Sequence, residues 1–265
     1  MGTGKTAVDK HKQALDYYHK GLKLIKTNPN MDDNDFYKKV FYYYIGVSHK
    51  NMGDLDESLA YLDTTLTYYV LGTQEYYRTL EMKATMLNNA GRYAEALPLL
   101  KQIVGFYMKD GRISTINYEM RIQTAIGQLA KAEQHVGNYE KALDLAHKNA
   151  CYFYKVPEVQ YSISSNKNFR DAEYCVYQKI DIFKEMFHLS RDTSLLSSMM
   201  DHFHFVMNIT DVNASASQTA KSLLEISSRY KYNSDRLLNF LSEENLPQRY
   251  QEDIYQLVAK SKAFS

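Results

Sequence analysis

Helix breakers are scarce in this chain: 265 residues contain only four prolines and eleven glycines. That scarcity suits long helices and argues against a sheet-rich fold, whose many tight turns draw on those two residues. Cysteine is scarce too. Cys151 and Cys175 cannot make a disulfide framework and form no CxxC pair, which favours a reducing compartment. Neither sign of charge prevails. With 32 Lys+Arg against 31 Asp+Glu, the balance gives no reason to expect nucleic acid or an acidic substrate. No apolar run approaches the roughly 18 residues of a spanning helix, so membrane insertion is not expected. The N-terminus lacks an apolar signal segment. A cytoplasmic setting is therefore expected, or an extracytoplasmic one if a signal segment has been cut away. GxSxG, a Cys/His constellation and a close pair of carboxylates at a breakpoint are all missing, which leaves an enzyme or a cofactor no residues to rest on.

Tyrosine, by contrast, is abundant, at 24 residues. Its ring is apolar and its hydroxyl is wet, so it suits helix contacts and aromatic-lined surfaces between core and water. Three glycines carry more information still. Gly53-Asp-Leu-Asp-Glu-Ser-Leu59, Gly91-Arg-Tyr-Ala-Glu-Ala-Leu97 and Gly137-Asn-Tyr-Glu-Lys-Ala-Leu143 are one phrase written three times. A large residue follows each glycine at two (Leu55, Tyr93, Tyr139), a small one at five (Ser58, Ala96, Ala142) and Leu at six. Seven residues before each glycine stands another small residue: Gly46, Ala84 and Ala130. A residue tolerant of positive φ ends one helix and reverses the chain into the next, while small residues on facing sides let the pair approach closely. Such pairs bury part of their apolar surface and need neighbours to stack against.

The phrase resembles the tetratricopeptide repeat (TPR), over Lys39 to about Tyr154. The spacings of 38 and 46 residues between glycines exceed the family's period of about 34, so helices or turns are longer than the minimal unit. No Trp stands near the start of each unit; Tyr42, Leu80 and Ile126 take its place. The family's terminal Pro is replaced by Val70 and Met108 in the first two units. The resemblance implies an all-α fold of antiparallel helix pairs stacked into a right-handed superhelix, an α-solenoid.

Periodicity predicts helices at about 7–27, 34–51, 54–71, 74–90, 92–109, 113–136 and 138–154, with Asp54 and Asn138 as N-caps. Residues 7–27 read as the second helix of a unit whose first helix is absent, as in an excised fragment. An irregular segment is expected at 155–168, then helices at 169–189, 193–208, 215–231, 234–243 and 248–262. The expected division is 1–156, an N-terminal helix with three recognisable units, and 157–265, degenerate repeats or a capping helical bundle.

Several local motifs invite chemistry and fail on geometry. Gly2-Thr-Gly-Lys-Thr6 ends like a phosphate-binding loop, but the first glycine and the strand that such a loop needs have no room before it. Asp201-His202-Phe-His204 invites a metal, yet residues two apart on a helix point away from one another, and no HExxH spacing occurs. His135 and His147 lack clustered carboxylates. Asn208-Ile-Thr210 and Asn213-Ala-Ser215 are formal glycosylation acceptors that matter only in a secreted eukaryotic chain.

The resemblance puts binding on the concave face lined by the first helix of each unit. Counting thirteen, ten, six and three residues back from each glycine gives Val40, Tyr43, Val47 and Lys50, then Arg78, Glu81, Thr85 and Asn88, then Thr124, Gly127, Lys131 and Gln134. Amides at Asn88 and Gln134 suit an extended peptide backbone. Lys50, Arg78 and Lys131 add cations, and a solvated helix face without a ligand is the alternative. Family members that grip a chaperone's terminal carboxylates carry Lys and Asn where Tyr43 and Val47 stand, so that subclass is argued down. The expected function is a non-enzymatic scaffold that holds a protein or peptide segment, without direct nucleic-acid contact. The alternative is the peptide-sensing region of a larger bacterial transcriptional or signalling regulator whose effector domain is absent from this chain.

Overall fold

A computed structural model describes residues 3–29, 33–109, 116–154 and 169–190, with 192, 194, 195 and 198. Eight α-helices lie among them and no strand does: α1 (Thr3–Thr27), α2 (Asn34–Met52), α3 (Leu55–Leu66), α4 (Gln74–Asn89), α5 (Tyr93–Lys109), α6 (Ile116–His135), α7 (Tyr139–Tyr154) and α8 (Phe169–Ser190). The irregular segment expected at 155–168 and the helices expected beyond residue 198 lie outside the described residues. So do the His202/His204 and glycosylation motifs. The expected boundary between 156 and 157 falls there too. Two compact units are Met1–Ala125 and Ile126–Ser265.

The three glycine phrases fold as one structure. Gly53, Gly91 and Gly137 have φ of 91°, 76° and 86°. Each closes its helix with the same two bonds. The glycine N–H donates to the carbonyl three back (Lys50, Asn88, Gln134), and the following N–H donates to the carbonyl five back (His49, Leu87, Glu133), at 2.8–3.1 Å. This is the Schellman arrangement, and it requires the left-handed backbone that glycine adopts without strain. The next helix then starts identically, with Ser58, Ala96 and Ala142 N–H donating to the carbonyls of Asp54, Arg92 and Asn138.

The small residues lie where the helices of each pair meet. Gly46, Ser58, Ala84, Ala96, Ala130 and Ala142 are all buried. In the first pair the Ser58 hydroxyl donates to the Gly46 carbonyl at 2.7 Å, and a Cβ at 46 would stand 3.2 Å from Leu62 and 3.3 Å from the Ser58 carbonyl. In the first unit α1 packs on α2, α2 on α3, α3 on α4 and α4 on α5. Ile45, Leu62, Leu87, Leu100 and Ile103 are fully buried there, and Tyr77 stacks on Phe106. In the second unit α7 packs on α8, and Ala130, Ala142, Ala146 and Ile182 form a core flanked by Tyr139, Leu143 and Met186.

Two local expectations need correction. The helix expected to reach residue 71 stops at Leu66. Thr64, Thr65 and Thr67 turn their hydroxyls onto the carbonyls of Ala60, Tyr61 and Thr64. Side chains that bond to the backbone in this way weaken a helix. The backbone tightens into bonds from Tyr68 N–H to Thr65 and from Tyr69 N–H to Leu66, and Gly72 at φ 96° precedes α4. Asp54 occupies the N-cap place of α3 without a side-chain capping bond; its carboxylate lies 3.2 Å from His49 Nδ1 instead. Gly4-Lys5-Thr6 stands inside α1, so it forms no phosphate-binding loop.

Candidate interaction face

On α2, Tyr43 and Val47 are half-buried and Lys50 is exposed. On α4, Arg78 is exposed while Glu81 and Thr85 are half-buried. Tyr43 meets α4 and α6 through charge: burial, then Tyr44, raises its hydroxyl pKa, and Arg78 and Arg121 oppose the rise. Arg121 Nη1 donates to Glu81 Oε2 at 2.6 Å. Burial nonetheless pushes the Glu81 carboxyl above its ordinary range, outweighing the Tyr107 hydroxyl and the two arginines that favour its charge. Tyr107 is fully buried on α5, and burial followed by the Glu81 charge holds its hydroxyl protonated far above the usual phenol range. Beside Tyr43, burial likewise raises Tyr69, and the Lys39 ammonium stands 5.6 Å from the Tyr69 ring.

The first unit therefore gathers Tyr43, Arg78 and Glu81 from the expected row with Arg121, Tyr69 and Tyr107, which counting did not supply. Arg121 lies sixteen residues before Gly137, one helical turn beyond the row that was counted. Tyr69 sits in the turn after α3, and no helical period points to it. Of the two arginines, Arg78 is the exposed one, and its charge acts on both Tyr43 and Glu81.

Three positions of the row are not offered to solvent. Asn88 is fully buried. In the second unit Gln134 is 8% exposed and donates to Glu185 Oε2 of α8 at 2.6 Å. Gly127 is buried, and its carbonyl accepts from Gln178 Nε2 of α8 at 2.8 Å. The helix that follows thus covers the face expected to bind a peptide backbone. Lys131 is half-buried in that unit and Thr124 is exposed in the first. Glu185 also accepts from the Tyr139 hydroxyl at 3.0 Å. Buried Glu133 is held by Lys141 at 2.9 Å and by the Asn138 amide at 2.6 Å. These polar groups fix α6, α7 and α8 to one another.

Among the described residues no group of three or more His, Cys, Asp or Glu side chains is placed to hold a metal ion. No described helix is long and apolar enough to cross a membrane.

No family model and no curated protein matches the sequence. The fold is similar to that of BtubC (BKLC) from P. vanneervenii, with a TM-score of 0.51 at 10% identity, over 99% of this chain and 92% of that one. Chains described as kinesin light chain TPR-like repeats from Podosopora anserina also align. One of them is matched over 88% of this chain and all of that one at 12% identity, with a TM-score of 0.49. The fold is a TPR-like helical repeat. At such identities the likeness speaks for the fold alone, and it agrees with the thrice-repeated Schellman turn and the buried small residues.

Proposed function

We propose that this chain is a non-enzymatic interaction scaffold that holds a protein or peptide segment against the α2–α4 face of its first unit. The observation that carries this reading is the pairing of half-buried Tyr43 with the exposed Arg78. Tyr and Arg are the residue types that most often dominate interface energetics. Here each is held by a rigid helix, and the Arg121–Glu81 ion pair backs them. A guanidinium beside tyrosine rings offers a planar donor fork and an apolar wall, which suits a side chain flanked by backbone carbonyls.

The test uses the full gene product in native extract, with a photo-crosslinking residue at Val47 or, on the outer face, at Glu57. A partner captured from Val47 and not from Glu57 supports the reading. Alanine at Tyr43 or Arg78 should then weaken that partner by about 1–2 kcal/mol or more, with the helical content unchanged. Normal binding by both variants, with capture from Glu57, would remove the proposed face.

A further inference from the structure

Helix α1 concentrates positive charge. Thr3–Thr27 holds six lysines against Asp9 and Asp16, a surplus of four. The whole chain has a net charge of only +1, so the remainder is net acidic. Lys10, Lys12, Lys20, Lys23 and Lys26 are exposed, and none of them makes an ion pair with a described residue. Elsewhere in the described residues cations are drawn to carboxylates: Lys38 to Asp35, Lys83 to Asp63, Arg92 to Asp56 and Glu95, Arg121 to Glu81, Lys148 to Asp144.

The asymmetry sharpens along the helix. From Tyr17 to Thr27 there is no acid, while His19, Lys20, Lys23 and Lys26 are all exposed. Among the described residues Asp33 and Asp35 line the cleft that Lys23 and Lys26 share with Lys38 at the start of α2, and Asp35 is already paired with Lys38. Beside Lys20 lie two large apolar side chains in water, Tyr17 at 72% and Leu24 at 62% exposed. Tyr17, Lys20 and Leu24 follow one another at i, i+3 and i+7, on one face. The Lys20 ammonium stands 5.6 Å from the Tyr17 ring.

We infer that this face docks the protein on an anionic lipid surface. The cations are all lysines, which are point charges on flexible stems without the planar fork that reads a phosphate or a base edge bidentately. No exposed Asn, Gln or Arg from Tyr17 to Thr27 offers directional hydrogen bonds to a peptide. The face responds to charge density and not to shape, which fits laterally mobile headgroups. Tyr17 and Leu24 would leave water for the headgroup boundary, as apolar residues among lysines do on interfacial helices, whereas a rigid polyanion would leave them wet. The docking is peripheral, since α1 keeps its apolar face on α2.

The experiment is co-sedimentation of the full chain with vesicles of phosphatidylcholine alone or containing about 30% phosphatidylserine, the anionic lipid that attracts basic segments. The chain should bind the anionic vesicles only, and less as salt shortens the screening length. The triple variant Lys20→Gln/Lys23→Gln/Lys26→Gln should lose about 100-fold in affinity at unchanged helicity, roughly fivefold per lysine. Tyr17→Ser should weaken the residual binding at high salt more than at low salt. Equal binding to neutral vesicles, no binding to anionic ones, or full binding by the triple variant would overturn the proposal. Preference for soluble polyglutamate or duplex DNA over the vesicles would also overturn it, assigning the face to an acidic protein or to nucleic acid.

Discussion

At the scale of single residues, chemically similar positions differ in cost for different physical reasons. A Cβ on Gly53 would meet nothing within 4 Å, so Gly53→Ala is penalised only through its left-handed backbone, by about 1–2 kcal/mol. Installing D-alanine by semisynthesis should restore the melting temperature, and a D-alanine protein as unstable as the L-alanine one would contradict that cause. Ala96 and Ala142 have ordinary backbones and no room. Leucine at either should destabilise by about 1–3 kcal/mol through overpacking, and an unchanged melting temperature would count against the repeat packing. Glu81 carries the clearest pH signal. Its folded pKa is raised above the ordinary 4.5 by burial, so the folded state holds that proton more tightly than the unfolded chain does. Its contribution is present below the ordinary value and is lost as pH rises through the raised folded value. The melting temperature of Glu81→Gln relative to wild type should therefore climb across that window. A difference that stays flat or falls with pH would show that the Arg121 pair outweighs burial.

At the scale of elements, the sequence pattern located the helices well and their ends less well. The glycine ends were legible because one residue type answers one backbone requirement. The end of α3 was not, because Thr64, Thr65 and Thr67 act through side-chain bonds to carbonyls, and a hydrophobic period does not register those. Pro98 lies inside α5. Lacking an N–H, it leaves the carbonyl of Ala94 without its helical partner, and both residues are exposed to water. Pro98→Ala should stabilise the protein by about 1–3 kcal/mol, the range of proline's helix-interior cost, read as a rise in denaturant midpoint at constant slope. A loss of stability would mean that the proline limits the unfolded chain more than it harms the helix.

At the scale of the whole molecule, far-ultraviolet circular dichroism should show helix with negligible strand, because breakers are scarce and apolar spacing is helical; substantial sheet would contradict the fold. The interaction face divides differently between sequence and structure. Counting back from turn glycines puts Tyr43, Arg78 and Glu81 in the proposed face, since a helix presents residues three and four apart on one side. Arg121 and Tyr69 join them only through packing between helices distant in sequence. Asn88 and Gln134 sit at equivalent counts and are buried, Gln134 against Glu185 of α8. The sequence by itself determined that the chain folds as helix pairs closed by left-handed glycines, because those requirements are local to a few bonds and one backbone angle. Only the tertiary structure decided which of the evenly spaced polar residues reach water. Exposure depends on what packs on each helix from elsewhere in the chain, and no period within a single helix encodes it.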